Sequence, residues 1–206
     1  MKRLSSLYSK YFGCCPETVS AITGSASNRS YYRLVSEAGR CIGVIGTDRE
    51  ENNAFVTLAR HFSSKGIPVP KIYSVSDDGM VYIQEDLGGI SLYDLLLSAR
   101  KGQTSWDEVE ALLCRTMSLL PKIQYEGAEG LDFSICYPQP SFDRQNVMFD
   151  LNYFKYCFLK GTKIEFSEPL LEDEFDRLTA LILAQPADSF LYRDCQSRNV
   201  MIKDGQ

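Results

Sequence analysis

Apolar residues recur at helical spacing from the start of the chain. Leu4, Leu7, Tyr8, Tyr11 and Phe12 fall on one face, and Gly13 with Pro16 closes the run, which predicts an amphipathic N-terminal helix. The period then changes. Residues 22–35 hold two candidate strands around a bend of small residues, Gly24-Ser25-Ala26-Ser27-Asn28, and Glu37-Ala38-Gly39 turns the chain into a third strand over residues 40–46. Asp48 to Glu51 has the form of a capping box, with Asp48 as N-cap and Glu51 as its reciprocal partner. Phe55, Leu58, Ala59 and Phe62 follow on one helical face, and Lys65-Gly66 ends the segment. Two more β-runs, residues 71–75 and 80–85, flank the Asp78-Gly79 turn. Up to about residue 88 the pattern therefore predicts a five-stranded antiparallel sheet with one helix between its third and fourth strands.

Beyond Gly88-Gly89 the spacing becomes helical, which marks a boundary between residues 1–88 and 89–206. Ser91 caps a helix through Leu92, Leu95 and Leu96. Ser105 to Glu108 has the form of another capping box, opening a helix with Val109, Leu112, Leu113, Leu120 and Ile123 on its inner side and a kink expected at Pro121. Residues 127–140 are irregular, residues 142–160 carry Val147, Leu151, Phe154 and Phe158 in helical register, and Pro169 opens a last helix that closes near Pro186. Residues 200–203 form a short strand followed by the turn signal Asp204-Gly205, after which only Gln206 remains. A hairpin without its return strand gives the expectation of a fragment, or of a chain interrupted at a turn.

Composition narrows the classes. With 206 residues, 44% of them apolar, the chain can bury a core of one large domain or two small lobes. A net charge of −5 argues against nucleic acid or an anionic membrane surface as partner. The polar N-terminus and the lack of a long uncharged apolar run predict a soluble cytoplasmic protein. The seven cysteines, Cys14, Cys15, Cys41, Cys114, Cys136, Cys157 and Cys195, are odd in number and have no C-x-x-C spacing, which argues against a disulfide framework or a zinc site. His61 is the single histidine, so histidine-dependent nucleophilic catalysis would rest on that residue alone.

The stretch with the most chemistry is Tyr192-Arg193-Asp194-Cys195-Gln196-Ser197-Arg198-Asn199. An aspartate five positions before an asparagine, between an apolar lead-in and a short β-branched run, has the form of the H-R-D-x-x-x-x-N loop of kinases, with Tyr192 where that loop has its histidine. In that arrangement the Asp accepts the proton of the attacking hydroxyl and the Asn gives a neutral oxygen to Mg²⁺. The Gly24–Asn28 bend admits two readings. Its N–H groups and hydroxyls suit a polyphosphate, and the same residues are ordinary hairpin chemistry.

Together, the sheet-first order, the bend, the segment Tyr82-Ile83-Gln84-Glu85-Asp86-Leu87-Gly88 and the loop at Asp194 resemble the aminoglycoside phosphotransferase and choline kinase-like family, relatives of the protein kinases. The likeness is strongest to bacterial sugar kinases such as those acting on N-acetylmuramate and N-acetylglucosamine. The resemblance implies an α+β, protein-kinase-like fold of two lobes: a nucleotide-binding lobe with its hinge, residues 1–88, and a mainly helical lobe, residues 89–206, incomplete at its C-terminus. It implies ATP and Mg²⁺ as cofactors and transfer of phosphate to a hydroxyl of a small molecule, with sugar or amino sugar ranked before aminoglycoside. Asp194 would be the base and Asn199 the metal ligand. Gly24, Ser25, Ala26, Ser27 and Asn28 would cover the phosphates, Glu85, Asp86 and Leu87 would line the hinge, and Glu51 would face the nucleotide unless it serves only as a helix cap. Arg193 would brace the loop, and Arg198 would reach a phosphate or lie on the surface. Trp106, Asp143 and Asp150 lie where the family binds its acceptor, although packing and solvation account for them as well. Two departures stand out: the third strand has no lysine, and the chain has no second metal-binding Asp after Asn199. They imply that the chain as given binds Mg²⁺ poorly and turns over little or not at all, and they open an alternative, a non-catalytic pseudokinase-like module that binds nucleotide or a partner, or an inactive truncated fragment. Oligomeric state is open.

Overall fold

The computed structural model describes residues 1–22 and 28–205. Its first helix, α1 (Lys2–Phe12), is followed by β1 (Thr18–Ile22), β2 (Ser30–Ser36), β3 (Gly39–Ile45), α2 (Arg49–Ser64), β4 (Ile72–Val75) and β5 (Val81–Glu85). The strands form one antiparallel sheet in the order β1-β2-β3-β5-β4. The protein is thus α+β, a five-stranded sheet with six α-helices among the described residues.

Pleating sends alternate residues of the two central strands to opposite faces. Leu34, Cys41, Val81 and Ile83 meet Leu4, Leu7 and Tyr8 of α1 on one side. Ile42, Val44 and Tyr82 meet Val56 of α2 on the other. Burying one such apolar side chain contributes about 1.5–3 kcal/mol, and covering both faces of β3 and β5 makes them the centre of the fold. Close approach of α1 needs the missing side chain at Gly43, where a Cβ would lie 2.6 Å from Leu4. The Tyr8 hydroxyl crosses to the sheet and donates to the Gly39 carbonyl at 2.6 Å.

Asp48 caps α2, accepting from the N–H groups of Glu50 (2.7 Å) and Glu51 (3.0 Å). The reciprocal half of the predicted capping box is replaced: the Glu51 carboxylate turns to Arg29, 2.9 Å away, because a guanidinium is a stronger partner for a carboxylate than a neutral N–H. Ser105 likewise caps the fourth helix through the Asp107 N–H alone. The buried face of α2 is also wider than the apolar spacing predicts, since Asn52 is enclosed and donates to the Gly79 carbonyl at 3.0 Å.

The second half of the chain is helical: α3 (Leu92–Arg100), α4 (Trp106–Pro121), α5 (Arg144–Cys157) and α6 (Glu168–Leu183). Ser91 and Asp94 form a complete capping box on α3. Pro121 ends α4 and the chain passes into a π turn, Lys122–Glu126. A ring that removes a donor favours this over the expected kink within one helix. On α5, Val147 is buried, but Phe154 and Phe158 are exposed and stack on each other at 5.5 Å. Lys155 is buried between α5 and α6 and is held by Glu168 (2.7 Å) and Glu172.

The two halves meet at several points. The His61 Nε2–H donates to the Gly127 carbonyl at 2.8 Å, Phe62 packs edge-on against Phe190, and the Tyr137 hydroxyl donates to Asp48 at 3.3 Å. His61 therefore has a structural task between α2 and the turn after α4. The strand predicted over residues 200–203 is reduced to one antiparallel bridge, Met201 with Ser91. Among the described residues no helix is long and apolar enough to cross a membrane.

Candidate active site

The last residues of β5 run directly into the connection between the halves, and two carboxylates there are tightly held. Asp86 is buried, and Arg33 of β2 donates to it through Nε (2.7 Å) and Nη2 (3.1 Å) while also reaching the Gly88 carbonyl at 3.0 Å. The Gly88 N–H returns to Asp86 at 2.9 Å, in a backbone conformation with φ of 94° that favours glycine. Burial pushes the Asp86 carboxyl up, but the hydrogen bonds from Arg33 and Gly88 outweigh it and leave the group below its ordinary range. Its side chain is committed to bracing the turn.

Glu85, one residue earlier, is bound by Lys203 at 2.5 Å and by the Lys71 N–H at 3.3 Å. Burial raises this carboxyl too, and the contact with Lys203 more than reverses it. Lys203 belongs to the segment after the loop at Asp194. The same segment pairs its backbone with the stretch after the hinge: Leu92 N–H donates to Val200 at 2.8 Å and Ile202 N–H to Ile90 at 2.9 Å. Hinge and loop, distant in sequence, are thus tied together by main chain and by an ion pair.

Within the loop, the Asp194 carbonyl accepts from the Gln196 N–H (2.9 Å) and from the Asn199 side-chain amide (3.0 Å). Ser197–Asn199 form a 3-10 turn, which gives the five-residue spacing its physical meaning, because it brings Asn199 back onto Asp194. With its nitrogen committed to that carbonyl, the Asn199 amide still has its oxygen as an acceptor. Both residues are exposed. Arg193 is held by both oxygens of Asp150 on α5 and lies over the Phe142 ring at 5.1 Å. Arg198 lies over the Tyr93 ring at 4.4 Å.

An exposed carboxylate and a neutral amide oxygen on one pinned turn suit a hard cation such as Mg²⁺, which keeps several waters and takes much of its coordination from substrate phosphates. Among the described residues no three His, Cys, Asp or Glu side chains converge as a metal cage.

Other predicted positions are more scattered. Gly24, Ser25, Ala26 and Ser27 lie outside the described residues, and Asn28 is exposed two residues before β2. Leu87 is half-buried beside Asp86. Glu51 stands in the first turn of α2, paired with Arg29. Of the candidate acceptor residues, Asp143 caps α5 through the Gln145 and Asn146 N–H groups, Asp150 is taken by Arg193, and Trp106 is exposed at the start of α4. Arg29, Arg33 and Lys203 are side chains to which sequence reasoning assigned no role of their own. Their one visible signal is position: each is a cation in or beside a strand that otherwise reads as a half-buried surface.

A sheet with an interleaved helix, joined by a braced hinge to a helical half that carries an Asp…Asn loop, is the architecture of a kinase-like phosphotransferase. The sequence profile of the phosphotransferase enzyme family (APH), which includes the aminoglycoside phosphotransferases, matches residues 18–206, and the chain belongs to that family. Its members transfer phosphoryl groups, generally from ATP with Mg²⁺. No curated protein matches the chain.

Proposed function

We propose that the protein is an ATP-dependent phosphotransferase acting on a hydroxyl of a small polar molecule, a sugar or amino sugar. Residues 1–88 form the nucleotide-binding lobe and residues 89–206 carry the catalytic loop. The adenine pairs with the backbone of Glu85, Asp86 and Leu87, and the Gly24–Asn28 bend covers the phosphates. Asn199 would hold Mg²⁺, and the ion would supply charge neutralisation for the phosphates. Asp194 accepts the proton of the acceptor hydroxyl as it attacks. The cytoplasm, where ATP is available, is the expected site of action.

The observation that carries this reading is the fixed turn in which Asn199 holds the Asp194 carbonyl while the segment after it is paired with the hinge. That geometry supports the reading, because it ties the loop of Asp194 and Asn199 to the stretch that follows Glu85, Asp86 and Leu87. The choice of a sugar over a polycationic aminoglycoside is supported by Asp143 and Asp150, whose carboxylates are engaged by a helix N-terminus and by Arg193 and so do not form an open anionic pocket. The test is transfer from ATP to a panel of sugars, amino sugars and aminoglycosides, with Asp194→Asn alongside. General-base loss predicts a fall of roughly 10²–10⁴-fold with the fold intact. Equal rates for the two proteins, or transfer confined to aminoglycosides, would refute the assignment. A second reading, nucleotide binding without transfer, is favoured by β3 (Gly39–Ile45), which carries no lysine. ATP binding with no transfer to any acceptor would select it.

A further inference from the structure

Gln84, the last but one residue of β5, carries a polar group that folding leaves without a partner. β5 runs between β3 and β4, and Gln84 stands opposite Ile42 on one side and Ile72 on the other. Its side chain shares a face with Tyr82, two residues earlier, because pleating alternates the faces along a strand. The residue is half-buried, but its amide oxygen is enclosed and accepts no hydrogen bond among the described residues. Taking an acceptor out of water without giving it a donor opposes folding. An apolar side chain would fit between two isoleucines at lower cost, so the amide points to a task outside the fold. The pairing of β4 also slips here, between Ile72 and Ser74, an irregularity of the kind that re-aims a side chain beside a site.

The face on which Gln84 stands is the one turned to the helical half. α1 closes the opposite face of the sheet. α2, packed on the face of Tyr82, reaches the helical half through His61, Phe62 and its cap Asp48. The charged neighbours of Gln84 are occupied. Glu85 is held by Lys203, and Arg33 and Arg40 direct their charge at Asp86, at 2.7 and 3.8 Å. Gln84 thus adjoins the backbone of Glu85, Asp86 and Leu87 with an amide that no hydrogen bond holds among the described residues.

We propose that Gln84 reads the edge of the purine base and that the site accepts guanine as well as adenine nucleotides, an inference that rests on the ATP-binding reading above. It sets the position-6 group of a base paired with the backbone of Glu85, Asp86 and Leu87 beside the residue that precedes them. In adenine that group is an amino group, which donates, and in guanine it is a carbonyl, which accepts. A primary amide meets both, since its oxygen accepts and its nitrogen donates. Turning about its last side-chain bond exchanges the two ends, and that torsion is soft. An amide pinned by a neighbour would choose one base. Gln84 has no such neighbour and serves either, and the base supplies the partner that the fold withholds.

The experiment measures by calorimetry the affinity of the natural protein and of Gln84→Met for ATP, GTP and purine riboside triphosphate, which bears only hydrogen at position 6. The urea midpoint of both proteins is measured alongside. The natural protein is expected to bind ATP and GTP within about tenfold of each other, and each roughly five- to tenfold more tightly than the purine riboside analogue, the scale of one hydrogen bond. Gln84→Met keeps the length of the side chain without its polar end. It should bind all three with similar affinity, and its midpoint should be unchanged or higher, because an enclosed acceptor has been removed. A purely structural Gln84 would lower the midpoint on substitution and leave the ranking of the three nucleotides as it was, which overturns the inference. GTP binding more than about tenfold weaker than ATP binding overturns it as well. If the natural protein binds all three with equal affinity, the inference fails while the nucleotide site stands. If it binds none of them, the ATP reading fails and takes the inference with it.

Discussion

Removing one charge from the hinge should show how firmly the sheet is fixed to the connection that leads into the helical half. In Asp86→Asn the shape is kept and one oxygen still accepts, but two charge-assisted bonds from Arg33, at 2.7 and 3.1 Å, lose their ionic partner. Each such bond contributes about 1.5–3 kcal/mol. The side chain of Arg33 is 35% exposed, against 1% for Asp86, so water recovers part of the loss on the arginine side and none on the other. The expected net destabilisation is about 2–3 kcal/mol, or a fall in melting temperature of roughly 4–12 °C for a chain of this size. Urea unfolding of the natural protein, Asp86→Asn, Arg33→Met and the double variant measures it, and the coupling in the cycle should exceed about 1 kcal/mol. The pH dependence has a definite sign. Because the folded-state carboxyl is held below its ordinary value, its stabilisation is complete above about pH 3.9 and is lost as the pH falls through the folded value. The gap between the natural protein and Asp86→Asn should therefore narrow toward acid pH. A variant within about 0.5 kcal/mol of the natural protein at neutral pH, or a gap that does not narrow, would refute the account of Asp86 as a buried ionic brace.

Single contacts elsewhere give further expectations. Gly46→Ala would place a Cβ 2.0 Å from the buried Asn52 amide and displace it from the Gly79 carbonyl. Overpacking and a lost buried hydrogen bond together should cost about 3 kcal/mol in urea unfolding, and an unchanged midpoint would contradict the tight Gly46–Asn52 packing. Burial pushes the Cys41 thiol up to about 12, with the Asp86 charge adding to it. Iodoacetamide at pH 8 should therefore label the exposed Cys15, Cys114 and Cys157 first and Cys41 only in denaturant, as mass spectrometry of the peptides would show. Early labelling of Cys41 would mean that α1 does not cover the sheet as described.

Much of the fold is legible in the sequence because its signals are local. The helical spacing of Leu4, Leu7 and Tyr8, the alternation in residues 80–85, the caps at Asp48 and Ser91 and the Asp78-Gly79 turn each act within a few residues, where backbone geometry and burial leave few choices. The loop at Asp194 is legible for the same reason, since the five-residue spacing is what a 3-10 turn needs to return Asn199 to the Asp194 carbonyl. Pairings at long range were decided by tertiary structure alone. Arg33 and Asp86 are 53 residues apart, and Lys203 and Glu85 are 118 apart. Nothing in either stretch names the other, because an ion pair can form wherever packing happens to place two opposite charges. Glu51 carries both lessons. Its place in the first turn of a helix is set by the sequence, which offers it the Asp48 backbone as a partner. Only the folded sheet brings Arg29 within 2.9 Å, and in a partly buried corner the charged partner wins over the neutral one.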